Sequence, residues 1–294
     1  MFHRFTLFQQ HALPTVATID TLLRPQAINL TLREVEDMGQ TTVHQWSWQS
    51  EHSATDVLRH SVNSLLNPMR EQGEVDYTWQ TSNTPIDQIK LAVFDMDSTL
   101  IQAEVMDELA YVAGIGPKVA AITASAMAGE IDFEQSFEQR LALLEGFDTT
   151  QLNAIYGKIE LMPGAEKLMQ QLRAKGIYCA ILSGGFSYFA DRLAQRLGMQ
   201  QAFSNPLEQI DGQLTGQISV PIVDANKKVA LLEQLRAELG LSIDQCLAVG
   251  DGANDLPMLN TAGLGVAFHA KPLVKQQAPQ QISHFSLDVL SSLV

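Results

Sequence analysis

The chain has 294 residues, 46% hydrophobic and 18% charged, which excludes a disordered or fibrous polymer and suits about two globular domains. Its formal net charge of −14 sets a field that repels nucleic acid and anionic membrane, so neither is an expected partner. No run of about eighteen apolar residues occurs, the N-terminus lacks an apolar leader stretch, and Cys179 and Cys246 sit in apolar runs, so the expectation is a cytoplasmic protein with buried free thiols.

In chain order, Phe5 to Phe8 predicts a strand, and Pro14 opens a helix over Thr15 to Leu23, a position proline tolerates. Ala27 to Val35 and Thr41 to Trp48 alternate apolar and polar residues as half-buried strands do. Ser53 is placed to cap a helix reaching about Met69, with Val57, Leu58, Val62, Leu65 and Leu66 at helical spacing. Val75 to Trp79 closes the pattern as a strand, giving the order βαββαβ. The polar, Pro-ended stretch Thr81-Ser82-Asn83-Thr84-Pro85 reads as a linker.

Beyond the linker come four short apolar runs: Lys90 to Phe94, Tyr178 to Leu182, Cys246 to Gly250 and Gly263 to Phe268. Such runs suit strands buried on both faces of a parallel sheet. Helical stretches at Gly164 to Lys175, Tyr188 to Leu197, Lys228 to Leu239 and Leu256 to Ala262 separate them, which predicts a doubly wound α/β domain. Ligands of such sheets bind outside the carboxyl ends of the strands, and Asp95, Asp97, Ser183 and Asp251 fall at those ends. An insertion from about Gln102 to Leu161 is mostly helical in pattern and too long for a simple crossover, so it predicts a helical cap. Asp211-Gly212 signals a tight hairpin.

Asp95 and Asp97 flank Met96 on one face of an extended segment, where two carboxylates repel unless a cation or proton intervenes. With Asp251 at another strand end, they form a cluster of hard oxygen donors without His or Cys, which suits Mg²⁺. Glycines on either side of Asp251 allow a close backbone approach. Ser183-Gly184-Gly185 offers a hydroxyl and free N–H groups for an anion; no Gly-x-Ser-x-Gly elbow or His partner marks Ser183 as a nucleophile. Taken singly, Lys227 and Lys228 read as solvated surface lysines, Arg140 as a surface salt-bridge residue and Glu104 as an ordinary first-turn helix acid. The seven histidines show no metal-ligand spacing.

Asp95-Met96-Asp97-Ser98-Thr99, Ser183-Gly184-Gly185-Phe186 and Gly250-Asp251-Gly252-Ala253-Asn254-Asp255, with a lysine between the last two blocks, resemble the haloacid dehalogenase superfamily of phosphatases. Met127-Ala128-Gly129-Glu130-Ile131-Asp132-Phe133-Glu134 and Arg140 extend the similarity toward its phosphoserine phosphatase family. The resemblance runs from about Lys90 to the C-terminus. It implies a Rossmann-like core at residues 88–102 and 162–294 with a cap at about 103–161, together the domain 83–294. Residues 1–82 resemble an ACT-like accessory domain, through which a homodimer is expected.

The resemblance also implies roles. Asp95 would be the nucleophile and Asp97 the general acid and base. Mg²⁺ would sit on Asp95, the Asp97 carbonyl and Asp251, with Asp255 in support. Ser183, the Gly184 N–H, Lys228 and Asn254 would hold the phosphoryl group. Glu104 and Arg140 would recognise the ammonium and carboxylate of phosphoserine, with Phe133 and Met127 covering the site. The expected reaction is hydrolysis of O-phospho-L-serine to L-serine, the last step of serine biosynthesis.

Overall fold

Alternation of side chains builds the N-terminal unit. Along β1 (Phe2–Gln9), Phe5 and Leu7 enter one aromatic cluster while Phe8 joins the core beneath the opposite face. β1 lies in an antiparallel sheet of order β2-β3-β1-β4 with β2 (Ile28–Val35), β3 (Thr42–Gln49) and β4 (Val75–Ser82). Trp46, Trp48, Tyr77 and Trp79 share the face of Phe5, and Ile19 and Leu23 of α1 (Thr15–Leu23) with Leu58, Val62 and Leu66 of α2 (Asp56–Glu71) cover it. The computed structural model describes residues 1–10, 15–26, 28–35, 41–50, 56–82 and 88–294.

The second unit is a six-stranded parallel sheet of order β12-β11-β10-β5-β6-β7. Its strands are β5 (Leu91–Phe94), β6 (Tyr178–Phe186), β7 (Gln201–Asn205), β10 (Cys246–Gly250), β11 (Leu264–Phe268) and β12 (Gln280–Ile282); β8 (Gln209–Ile210) and β9 (Gln213–Leu214) form a separate hairpin. The central strands bury both faces, so Ala92 and Phe94 join one apolar cluster and Leu91 and Val93 another. The chain runs outward from β5 through β6 to β7, then returns to β10 on the other side of β5. That reversal opens a crevice at the carboxyl ends of β5 and β10.

The cap consists of α3 (Val105–Val112), α4 (Gly116–Met127), α5 (Phe133–Ala142) and α6 (Leu152–Tyr156). Its two connections to the core run side by side, bridged at Ile101 and Leu161. Core helices follow: α7 (Ala165–Ala174), α8 (Ser187–Leu197), α9 (Ala225–Glu238), α10 (Leu256–Thr261) and α11 (Pro272–Gln277). At the β8–β9 turn, Asp211 and Gly212 take φ of 51° and 81°, the left-handed pair that the Asp-Gly signal anticipates.

The two units meet along β4 and beneath the sheet, where Phe8 packs on Phe285 with ring centroids 6.1 Å apart. The Asp76 carboxylate accepts the N–H groups of Ser283 and His284 at 2.7 and 2.8 Å and pairs with Arg70 at 3.2 Å. Gln280 covers the β4 edge, donating to the Trp79 carbonyl at 2.6 Å and accepting its N–H at 2.8 Å.

Several expectations shift. Thr81 and Ser82 finish β4, paired with His3 and Phe2, rather than opening the linker. β1 starts three residues earlier than predicted because it is paired on both sides along its whole length. β7 and β12 were not anticipated. Pro14, Ala27, Ser53 and the linker residues Asn83 to Pro85 lie outside the described residues. Both cysteines are buried and free, and burial pushes the Cys179 thiol up to about 12.

Candidate active site

Asp95, Asp97 and Asp251 are delivered by the ends of buried strands. β5 ends at Phe94, and Asp95 follows with its N–H on the Val249 carbonyl at 2.9 Å. β10 ends at Gly250, and Asp251 follows. Asp95 and Asp251 are both buried, 6% and 7% exposed. Asp97 is half-buried, and its Oδ1 accepts the N–H of Val105 at 3.1 Å, so the second acid of the pair also caps α3 of the cap.

Lys228 overturns its bland reading. It is fully buried in α9, whose start is fixed by the Asp224 carboxylate accepting the Lys227 N–H at 2.6 Å. From there the ammonium reaches Asp95 Oδ1 at 2.8 Å and Asp255 Oδ1 at 2.7 Å. Lys227 remains half-buried. Asp255 Oδ2 accepts the Gly252 N–H at 3.0 Å, so this carboxylate orients both the lysine and the loop that carries Asp251.

Ser183 and Gly184 sit within β6 rather than after it, where pairing with β7 shifts register between Leu182 and Phe186. The Ser183 hydroxyl accepts the Gly185 N–H at 2.9 Å. A Cβ on Gly185 would stand 2.8 Å from both Asp97 Oδ2 and Met96 Cε, so a larger residue would push the Asp97 carboxylate and the Met96 side chain from their places.

These elements and the cap enclose a cavity of about 160 Å³. Asp95, Asp97, Gly184, Asp251 and Asn254 line it from the core; Glu104, Phe133 and Arg140 line it from the cap side. Phe133, Phe137 and Phe186 form an aromatic wall, with ring centroids 6.2 and 5.6 Å apart in succession. Glu104 accepts a hydrogen bond from Ser98 Oγ at 2.8 Å, and the Arg140 Nε–H donates to the Ser136 carbonyl at 3.1 Å. Met127 does not join them: at the end of α4 it is 78% exposed and lies outside the cavity lining.

Crowded carboxylates raise one another. Burial and then Asp255 push Asp95 well above the ordinary carboxylate range, against the pull of Lys228. Burial and then Glu104 push Asp97 up to about 7; burial and then Asp255 push Asp251 up to about 7. Burial works against the Lys228 ammonium, but Asp255 and Asp95 outweigh it and hold it above the usual lysine value.

Residues 89–263 match the family model of haloacid dehalogenase-like hydrolases. The chain belongs to that family. A phosphoserine phosphatase of Archaeoglobus fulgidus is 43% identical over 233 residues, 79% of this chain and 68% of that protein. One from Streptococcus thermophilus is 47% identical over 193 residues, 66% of this chain and 90% of the other. The crystal structure of a haloacid dehalogenase family hydrolase from Salmonella enterica serovar Typhi superposes with a TM-score of 0.85 at 31% identity, covering 99% of this chain and 98% of that one.

In this hydrolase Asp95, Asp251 and Asp255 each offer a carboxylate oxygen, all within 4.8 Å of one another. Three buried carboxylates against one ammonium leave negative charge uncompensated, and the donors are all hard oxygens, so the set fits a hard divalent cation. Among the described residues no helix is long and apolar enough to cross a membrane.

Sequence reasoning missed several residues of the site, among them Phe137, Lys271 and Asn205. Lys271 lines the cavity, three residues after β11 ends; the strand-end rule applied to the other three runs would have found it. Asn205, 3% exposed, donates to the Gly184 carbonyl at 2.9 Å and accepts the Val223 N–H at 2.8 Å. Its strand, β7, is too short and polar to be legible.

Proposed function

We propose that this hydrolase is a magnesium-dependent phosphoserine phosphatase, cleaving O-phospho-L-serine to L-serine and phosphate through an aspartyl-phosphate on Asp95. One observation carries the reading: a single cavity joins Asp95 and Asp97 at the end of β5 to Glu104 and Arg140 beside the cap. The phosphoserine phosphatase relatives from Archaeoglobus and Streptococcus support the same substrate.

Substrate recognition follows from charge. Arg140 offers a planar fork to the carboxylate, and Glu104 faces the ammonium. Phe133 and Phe137 keep water from the reacting end. The Gly184 N–H, the Ser183 hydroxyl, Asn254 and Lys228 hold the phosphoryl oxygens and stabilise the charge that spreads over them in flight.

An oxygen of Asp95 attacks phosphorus, and the phosphorus–serine oxygen bond breaks. The leaving oxygen takes a proton from Asp97, whose upward shift to about 7 keeps that proton available at neutral pH. In the second half, Asp97 takes a proton from water as the water oxygen attacks phosphorus, and the phosphorus–Asp95 bond breaks to release phosphate. Mg²⁺, held by Asp95, the Asp97 carbonyl and Asp251 with Asp255 behind them, would supply charge neutralisation that lets anion meet anion.

The test is phosphate release from phosphoserine, with and without Mg²⁺, by the wild-type chain and Asp95→Asn. Loss in the variant and without metal is expected; equal release by both proteins would remove Asp95 as nucleophile. Arg140→Ala should cost far more on phosphoserine than on an aryl phosphate. Equal losses would point to another small phosphate ester. Residues 1–82 are proposed as an ACT-like accessory unit able to pair with a second copy.

A further inference from the structure

One cation on the cavity wall has no part in the reaction above. Lys271 lines the cavity, and its N–H meets the Asp251 carbonyl at 3.4 Å. Its side chain is exposed and its charge acts on the Asp251 carboxylate without a salt bridge among the described residues. A fixed turn delivers it. His269, directly after β11, takes φ of 45°, donates its N–H to the Ile282 carbonyl at 2.8 Å, and has Nε2 2.9 Å from the Phe285 carbonyl. Its ring stacks on Phe268 with centroids 4.1 Å apart. The left-handed turn ends the strand and swings Lys271 and the start of α11 over Asp251.

The charges around it give this lysine a task. Asp95, Asp97, Glu104 and Asp251 line the same cavity, in a chain of net charge −14, so an incoming phosphate dianion meets repulsion first. Lys228 is fully buried and bound to two carboxylates, so it acts only once the phosphoryl group is seated. Arg140 is committed to the substrate's carboxylate. We propose that Lys271 is the capture cation of this site, drawing in the phosphoryl group of an incoming dianion before that group reaches Asp95. The proposal rests on the phosphatase reading of the cavity and adds the residue through which the substrate enters.

Lys271→Met, Lys271→Arg and the control Lys158→Met, which removes the same charge from outside the cavity lining, are compared with wild type on phosphoserine and on an aryl phosphate. Ionic strength runs from about 0.02 to about 0.5 M, and thermal unfolding checks that each variant is folded. A positive charge about 6 Å from a dianion in water is worth roughly tenfold, so Lys271→Met should lower kcat/KM by that order at low salt, mostly through KM. The gap should close as salt rises, because the Debye length falls to about 3 Å at 1 M. The competitive inhibition constant of inorganic phosphate should weaken in parallel, and Lys271→Arg should restore both.

A Lys271→Met enzyme with the wild-type salt slope would overturn the proposal. So would equal flattening by Lys158→Met, which would make the effect one of net charge, or a change confined to the Mg²⁺ requirement. Inorganic phosphate and the aryl phosphate carry no amino-acid group, so they report on Lys271 even if phosphoserine is not the substrate.

Discussion

Half-buried at the end of β5, Asp97 has Glu104 and Asp251 for neighbours, and desolvation with the Glu104 charge holds its carboxyl near 7. In the proposed reaction Asp97 is the general acid and must carry its proton, so activity should fall on the alkaline side as Asp97 ionises. Glu104→Gln removes an influence that raises Asp97. The alkaline limb of kcat against pH, measured on an aryl phosphate, should therefore move to lower pH; an unmoved limb would assign it to another group. Lys228 makes the opposite kind of prediction. Lys228→Met leaves Asp95 and Asp255 buried without their shared ammonium, and breaking a buried pair costs about 3–5 kcal/mol. Asp95, already raised, rises further, and a group raised in the folded state keeps its stability at low pH and loses it as pH climbs through the folded value. Urea unfolding should show the variant's deficit largest above neutrality and shrinking toward pH 5; a deficit independent of pH would contradict the charge argument.

Among the elements, the end of β6 decides whether the phosphate cradle proposed at Ser183 and Gly184 keeps its shape. Asn205 ties the Gly184 carbonyl to the Val223 N–H with one amide, and Val223 leads directly into the capped start of α9, which aims Lys228. Asn205→Asp keeps an acceptor for Val223 but sets a carboxylate oxygen against the Gly184 carbonyl. That change should lower kcat/KM for every phosphate ester by tenfold or more, roughly 1.4 kcal/mol per decade. Steady-state kinetics on phosphoserine and an aryl phosphate would check it, and a loss on phosphoserine alone would place the effect in the cap instead. The hairpin at Asp211-Gly212 shows the contrary case, an element readable from two residues because their backbone conformation is local.

At the scale of the whole molecule, the seam between the two units joins an apolar contact, Phe8 against Phe285, to a buried polar cluster centred on Asp76. Asp76→Ala would orphan the N–H groups of Ser283 and His284 and leave the Arg70 guanidinium without its carboxylate, a loss of about 3 kcal/mol. All three tryptophans, Trp46, Trp48 and Trp79, belong to the N-terminal unit. Tryptophan fluorescence in urea should therefore report the N-terminal unit loosening at lower denaturant than the loss of activity. Coincident transitions at the wild-type midpoint would show that the seam does not hold the units together.

The strand-end acids were legible because a parallel strand buried on both faces must be written as a short apolar run, and the first polar residue after it marks the end that faces the ligand. Asp95, Asp97, Ser183, Asp251 and the cap insertion followed from that pattern, and the family blocks added Glu104 and Arg140. What the pattern could not carry was burial created by a distant partner. Lys228 is spelled like a surface lysine and becomes a buried ion-pair centre only because Asp95 and Asp255, far from it in sequence, converge on it. Met127 lies in the block that resembles a cap segment, yet the close of α4 leaves it exposed. β7 and β12, at the two edges of the sheet, are too short for periodicity to mark them. Local runs of residues thus determined the strands, the hairpin and the acids at the strand ends, since those depend on neighbours in the chain. The tertiary structure alone decided which charges share a counter-ion, which polar side chains are sealed into the seam, and which cation stands over Asp251, since electrostatic energy depends on separation in space rather than along the chain.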